Sequence, residues 1–240
     1  MADVARDLSS GRALEGPLIA PRWRSRRAAA VAGIVFAVLL TAGLVIVRAT
    51  LPATGLTDLA ADPGRRRLLQ LGLNLAPFAG IAFLWFIGVI RDQIGAVEDR
   101  LFSTVFLGSG LLFVAMLFLG AVVSTSLLQH VGSSATRTPS DILLWDYGRD
   151  ATRTLVSVYA MRMAAVFTMS TATIALRTRI VPRWIGLLGI AVAVVLLVTV
   201  GLSLWVELLF PAWILLLSVE FLRTGLKRAP LADATTADPG

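Results

Sequence analysis

The sequence predicts an all-α fold: a polytopic membrane helix bundle of six transmembrane helices, the fourth of which extends outside the membrane. Three observations carry this. The chain is 57% hydrophobic, with a mean hydropathy of +0.80, far from the composition of soluble domains. It holds six apolar runs separated by polar breaks, and a hydrocarbon core of about 30 Å needs about 20 apolar residues per helical crossing. The runs lack the period-two alternation of a membrane barrel, which excludes that alternative.

Residues 1–27 form a basic tail with Gly11, Gly16, Pro17 and Pro21, ending in Arg22, Trp23, Arg24, Arg26 and Arg27. It reads as a disordered cytoplasmic segment whose arginines meet anionic headgroups, each worth about 1 kcal/mol. Nucleic acid is not the expected partner, because most arginines of this +7 chain flank membrane spans and so act as topology signals. The transmembrane domain covers residues 28–226, with spans at 28–47, 68–90, 101–123, 155–176, 181–199 and 203–222. A second disordered cytoplasmic tail follows at 227–240.

In the first span Ala29, Gly33 and Ala37 recur every four residues, a spacing that lets a neighbouring helix of the same bundle approach closely. Leu51-Pro52-Ala53-Thr54-Gly55 matches a sortase sorting signal, but the hydrophobic run and basic tail that give such a signal its meaning do not follow it. The second span carries Gln70, Asn74 and Pro77; the proline removes a backbone donor and predicts a kink. A turn with paired acids and bases, from Arg91-Asp92 to Glu98-Asp99-Arg100, leads into the third span. His130 is the only histidine and lies in the second outer loop, 124–139, where it is expected to be solvated. Thr138, Pro139 and Asp141 then start a helix: a cap, a proline at the first position and an acid at the third.

That helix is expected to run unbroken from Pro139 to Leu176. At 100° per residue, Leu144, Leu155, Val158, Arg162 and Val166 share one side, whereas Asp146, Arg149, Asp150 and Arg153 lie opposite. The charged side must be wet, so the side continuing into Arg162 is expected to face protein, and the extension above the membrane to lie over the bundle as a lid. Arg177, Arg179 and Arg183 mark the next cytoplasmic turn. The last two spans are divided by a tight turn at 201–203, with Glu207 and Pro211 near the outer end of the sixth.

With both termini cytoplasmic, the 22 basic residues divide into 14 inside, 7 outside and Arg162 within the membrane, as the positive-inside rule requires of a bacterial inner-membrane protein. Arg65, Arg66 and Arg67 fall outside in this threading and have no evident role beyond phosphate contacts at the headgroups.

The segment Ala76-Pro77-Phe78-Ala79-Gly80-Ile81-Ala82-Phe83-Leu84-Trp85-Phe86-Ile87-Gly88-Val89-Ile90-Arg91-Asp92, followed by Glu98-Asp99-Arg100 and Thr104-Val105-Phe106-Leu107-Gly108-Ser109-Gly110, resembles a signature of uncharacterised actinobacterial multi-span integral membrane proteins. The strong likeness covers roughly a fifth of the chain. It implies a multi-span bundle and no established activity.

Arg162 is the sharpest candidate for function, since an arginine in mid-membrane costs about 2.5 to 3.5 kcal/mol unless paired or snorkelling. Asn74 and Arg162 lie at similar depths, about 9 and 10 Å below the outer boundary. The sequence therefore proposes an intramembrane polar cluster of Arg162, Asn74, Gln70 and Glu207, serving as a clamp between helices or as an anion or headgroup site; snorkelling is the third option. With one histidine, no cysteine and acids scattered in turns and tails, no catalytic constellation, metal site or cofactor motif is expected. The predicted function is a non-enzymatic membrane component, with a small transporter or a lipid- or anion-binding carrier centred on Arg162 as the alternative.

Overall fold

The computed structural model describes residues 22–50, 62–94, 100–133, 138–179, 181–199 and 204–235. Residues 1–21, the Leu51 to Gly55 motif and the turn at 201–203 lie outside them. All regular structure among the described residues is helical: α1 (Arg22–Thr50), α2 (Pro63–Ile94), α3 (Arg100–Ser133), α4 (Pro139–Arg153), a π-helical segment (Thr154–Ala160), α5 (Met161–Thr178), α6 (Arg183–Val198), α7 (Leu204–Glu207) and α8 (Leu209–Thr235). Helix α4, the π segment and α5 form one rod of 40 residues. Five rods are long and apolar enough to cross a membrane, and α6, with 16 residues, is shorter. This is a membrane protein.

The rods outrun their apolar runs at most ends. Helix α1 begins at Arg22 and α8 continues to Thr235, so both expected tails are helical where they adjoin the spans. Helix α3 runs to Ser133, through residues expected to form a loop. Hydropathy marks the stretch that suits hydrocarbon; a helix continues as long as its polar side chains find partners. Ser124, for example, donates back to the Gly120 carbonyl at 2.9 Å, which satisfies its hydroxyl within the helix.

The helices close a ring in which each packs on its sequence neighbour, and α8 returns to pack on α1. Phenylalanines fill the centre. Phe36 of α1, Phe83 of α2, Phe113 of α3, Phe167 of α5 and Phe210 of α8 are all fully buried. Phe83 lies 4.4 Å from Phe36, 5.2 Å from Phe113 and 4.9 Å from Phe167 by ring centroids; the Phe83–Phe113 contact is edge-on, as are those of Phe210 with Phe36, Phe83 and Phe113, the arrangement aromatic quadrupoles favour. The small-residue stripe of α1 does what its spacing predicts: a methyl group placed on Gly33 would stand 2.0 Å from Ser218 Oγ on α8 and 2.8 Å from the Phe86 ring on α2. Helix α6 is tied to α8 by Trp213, whose indole N–H donates to the Ile185 carbonyl at 3.2 Å.

Two irregularities position the polar groups. Pro211 has no N–H to offer the Glu207 carbonyl, so the last rod breaks between α7 and α8 and Glu207 ends the short upper piece. In the fourth rod the buried positions run Trp145 and Gly148, then Ser157, Ala160 and Ala164. From Thr152, which lines the same interior, to Ser157 is a five-residue step, and it falls on the π segment. One extra residue in a turn rotates all that follows by about 100°.

Candidate functional site

The expected cluster around Arg162 does not form. Arg162 is exposed and makes no hydrogen bond or ion pair among the described residues, and Gln70 and Asn74 lie on the exposed face of α2 with Pro77. The projection that put Arg162 against protein assumed an unbroken α-helix, and the π segment turns it outward. The upper half of the rod departs as well. Trp145 and Gly148 face the bundle and leave Leu144 44% exposed, because only the glycine lets the backbone of α4 approach Leu127 of α3, whose Cδ1 would be 2.4 Å from an added Cβ.

Of the four residues only Glu207 enters a polar site, and its partner is Arg48. The Arg48 Nη2 donates to Glu207 Oε1 at 2.8 Å and to Ser157 Oγ at 3.3 Å. The carboxylate is buried, its side chain 5% exposed, whereas the arginine is 34% exposed. This single interaction joins the end of α1, the π segment and the break before α8. The sequence carried a signal for it: Arg48 ends the first apolar run and Glu207 begins the last, so opposite charges stand at one end of two spans. The π segment, which brings Ser157 to the same point, left no such trace.

Arg48 and Glu207 stand in the wall of a cavity of about 420 Å³ at the α4 end of the bundle, within the size range of small-molecule sites. Ser124 and Thr152, hydrogen-bonded to each other at 3.1 Å, line it lower down. Helix α4 supplies Arg149, Asp150 and Arg153. The charged side of α4 is thus wet, as expected, but it faces a chamber between helices, and α4 forms a wall rather than a lid. Arg149 holds Asp146 at 3.5 Å and Asp150 at 3.8 Å, both exposed contacts of little energetic weight. Trp145 also lines the cavity; it is 4% exposed, and its indole N–H has no acceptor among the described residues.

Beside the cavity, Arg66 donates to the Leu128 carbonyl at 3.3 Å, which gives one of the three consecutive arginines a role in tying α2 to α3. At the tip, Asp141 Oδ2 accepts from the Thr138 backbone N–H at 2.8 Å and the Thr138 hydroxyl at 2.9 Å, the helix start foreseen in the sequence. His130 is not simply solvated, since its Nε2 lies 3.3 Å from Asp141 Oδ1. These bonds, the Thr138 backbone N–H first, hold the Asp141 carboxyl below its ordinary range. Among the described residues no group of three or more His, Asp or Glu side chains is placed to hold a metal ion.

Fold and site together define an all-helical membrane protein with a cavity at one end in which ionic and hydroxyl groups stand among apolar side chains. No family model matches the chain, and no curated protein or solved structure matches it.

Proposed function

We propose that the protein is a non-enzymatic membrane component that binds an anionic ligand in the Arg48 cavity from the outer face of a bacterial cytoplasmic membrane. The observation that carries this reading is the wall of the cavity, which presents three arginines against two acids and includes Trp145, whose buried indole N–H has no acceptor among the described residues. A buried N–H left unpaired costs about 1–3 kcal/mol, and an indole can only donate. An oxyanion in the cavity takes charge-assisted bonds from the guanidinium groups, and the Trp145 N–H is the one buried donor of that wall, among the described residues, left to join them. The charge distribution across the spans supports the threading, with both termini cytoplasmic and the cavity outside. In that frame Arg162 is a snorkelling residue at the lipid surface.

The test is thermal stability in a non-ionic detergent with phosphate, sulfate or a carboxylate, against chloride at equal ionic strength. A polyvalent oxyanion is expected to raise the melting temperature of the intact protein and to lose that effect in Trp145→Phe and in Arg153→Gln. An equal shift in all three proteins, or none in any, refutes the site.

A further inference from the structure

A second void lies against the floor of the cavity. Leu44, Val47, Ser124, Thr152 and Val156 line the cavity and also line this void of about 70 Å³, so the two adjoin. The second void descends between α1, α2 and α3 along small residues, among them Gly43, Gly72, Ala76 and Ala121, with leucines deeper down. From Val47 to Leu39 on α1 its lining covers eight residue steps, about 12 Å of helix, and Gly72 to Ala79 on α2 covers nearly the same. That approaches the depth of one hydrocarbon leaflet, half of a core about 30 Å thick. Arginine and hydroxyl groups therefore stand above a narrow apolar crevice that adjoins the same chamber.

We infer that the ligand is an amphiphile, an anionic phosphate-type head held in the Arg48 cavity with an unbranched alkyl chain in the crevice below it. This rests on the proposed anion site and adds the chain. The polar chamber alone suits a free anion equally well; the crevice distinguishes the two sources, because a free anion has nothing to place there. The small side chains of Ala76 and Ala121 leave room along it.

Inorganic phosphate is compared with ethyl, butyl, hexyl and octyl phosphate below their micellar concentrations, and with hexanol as an uncharged chain, by thermal stability and by isothermal titration. Affinity is expected to rise along the alkyl phosphates, by up to roughly fourfold per methylene, and to level off once the crevice is filled. Ala121→Leu, with Ala76→Leu as a second block from the facing helix, is expected to abolish the chain-length dependence and leave the response to inorganic phosphate intact. A phosphate response without chain-length dependence overturns the amphiphile and leaves the anion site standing. Chain-length dependence that survives both blocking variants, or that hexanol reproduces, overturns it also. If neither phosphate nor any alkyl phosphate acts, both readings fall.

Discussion

Replacing Arg48 with methionine leaves the Glu207 carboxylate 5% exposed with its arginine partner gone. At 2.8 Å and an effective dielectric of about 20, the attraction within the pair is about 6 kcal/mol. Most of that is offset by desolvation, and Arg48 is one-third exposed, so water screens it further. The loss on breaking the pair from the arginine side is expected at about 3 kcal/mol, the lower end for buried ion pairs. Glu207→Gln removes the charge of the pair from the other side, yet the amide oxygen still accepts from Arg48 and the guanidinium can also turn into the cavity, so the expected loss is about 1 kcal/mol. The double variant recovers most of the larger loss and is left about 1 kcal/mol down, for a coupling of about 3 kcal/mol. Unfolding in mixed micelles, followed by tryptophan fluorescence, measures all four corners of the cycle. A cost below about 1 kcal/mol for Arg48→Met, or a larger cost for Glu207→Gln, refutes the assignment of the carboxylate as the buried partner.

Gly33→Ala places a methyl group against Ser218 Oγ and the Phe86 ring and is expected to cost about 1–3 kcal/mol through overpacking. Ser218→Ala removes a buried hydroxyl without a partner, so alone it is expected to be neutral or stabilising and in combination to relieve part of the Gly33→Ala loss. Asp141 has a lowered carboxyl pKa in the fold, so its contribution is present above the ordinary carboxylate value and is lost as pH falls through the folded one. The first turn of α4 should accordingly lose amide protection in acid, and Asp141→Asn should lack that protection at neutral pH and show no further acid step. Because the chain has no cysteine, single-cysteine labelling is clean: Ser140→Cys should react with a membrane-impermeant maleimide on intact cells, and Ser10→Cys only after lysis. The reverse pattern inverts the topology.

Much of the architecture was legible because one variable controls it. Apolar runs of spanning length placed the five long rods, and the stripe of Ala29, Gly33 and Ala37 announced where α1 would meet its neighbours. The short α6 also lay where an apolar run stood. The site was far less legible, for a geometric reason. Its position depends on which side of the fourth rod faces inward, and a single extra residue in the π segment turns that side by about 100°. Apolar residues on either face of Thr154 to Ala160 would suit a membrane, so hydropathy does not reveal the slip, and Arg162 was carried to the wrong side. Glu207 was found but assigned to the wrong arginine. Arg48 stands one residue past a hydropathy boundary and was counted as a topology signal, although matching charge and depth at the ends of two spans would have paired it. Trp145 was passed over because a lone tryptophan in an amphipathic stretch carries no pattern; only its burial exposes the unpaired N–H.

Helix α6 gives the protein one short side. Its 16 residues rise about 24 Å, whereas the rod of 40 residues reaches about 60 Å. Leu187, Leu197 and Val198 are nonetheless exposed along α6 and need hydrocarbon around them. A bilayer with a core near 30 Å must thin by about 6 Å at that flank, because leaning would only shorten the span of the helix further. Lipids beside α6 are therefore held in a strained collar absent from the opposite flank, and the protein should gather where membranes are thin and drift from those thickened by long or ordered chains.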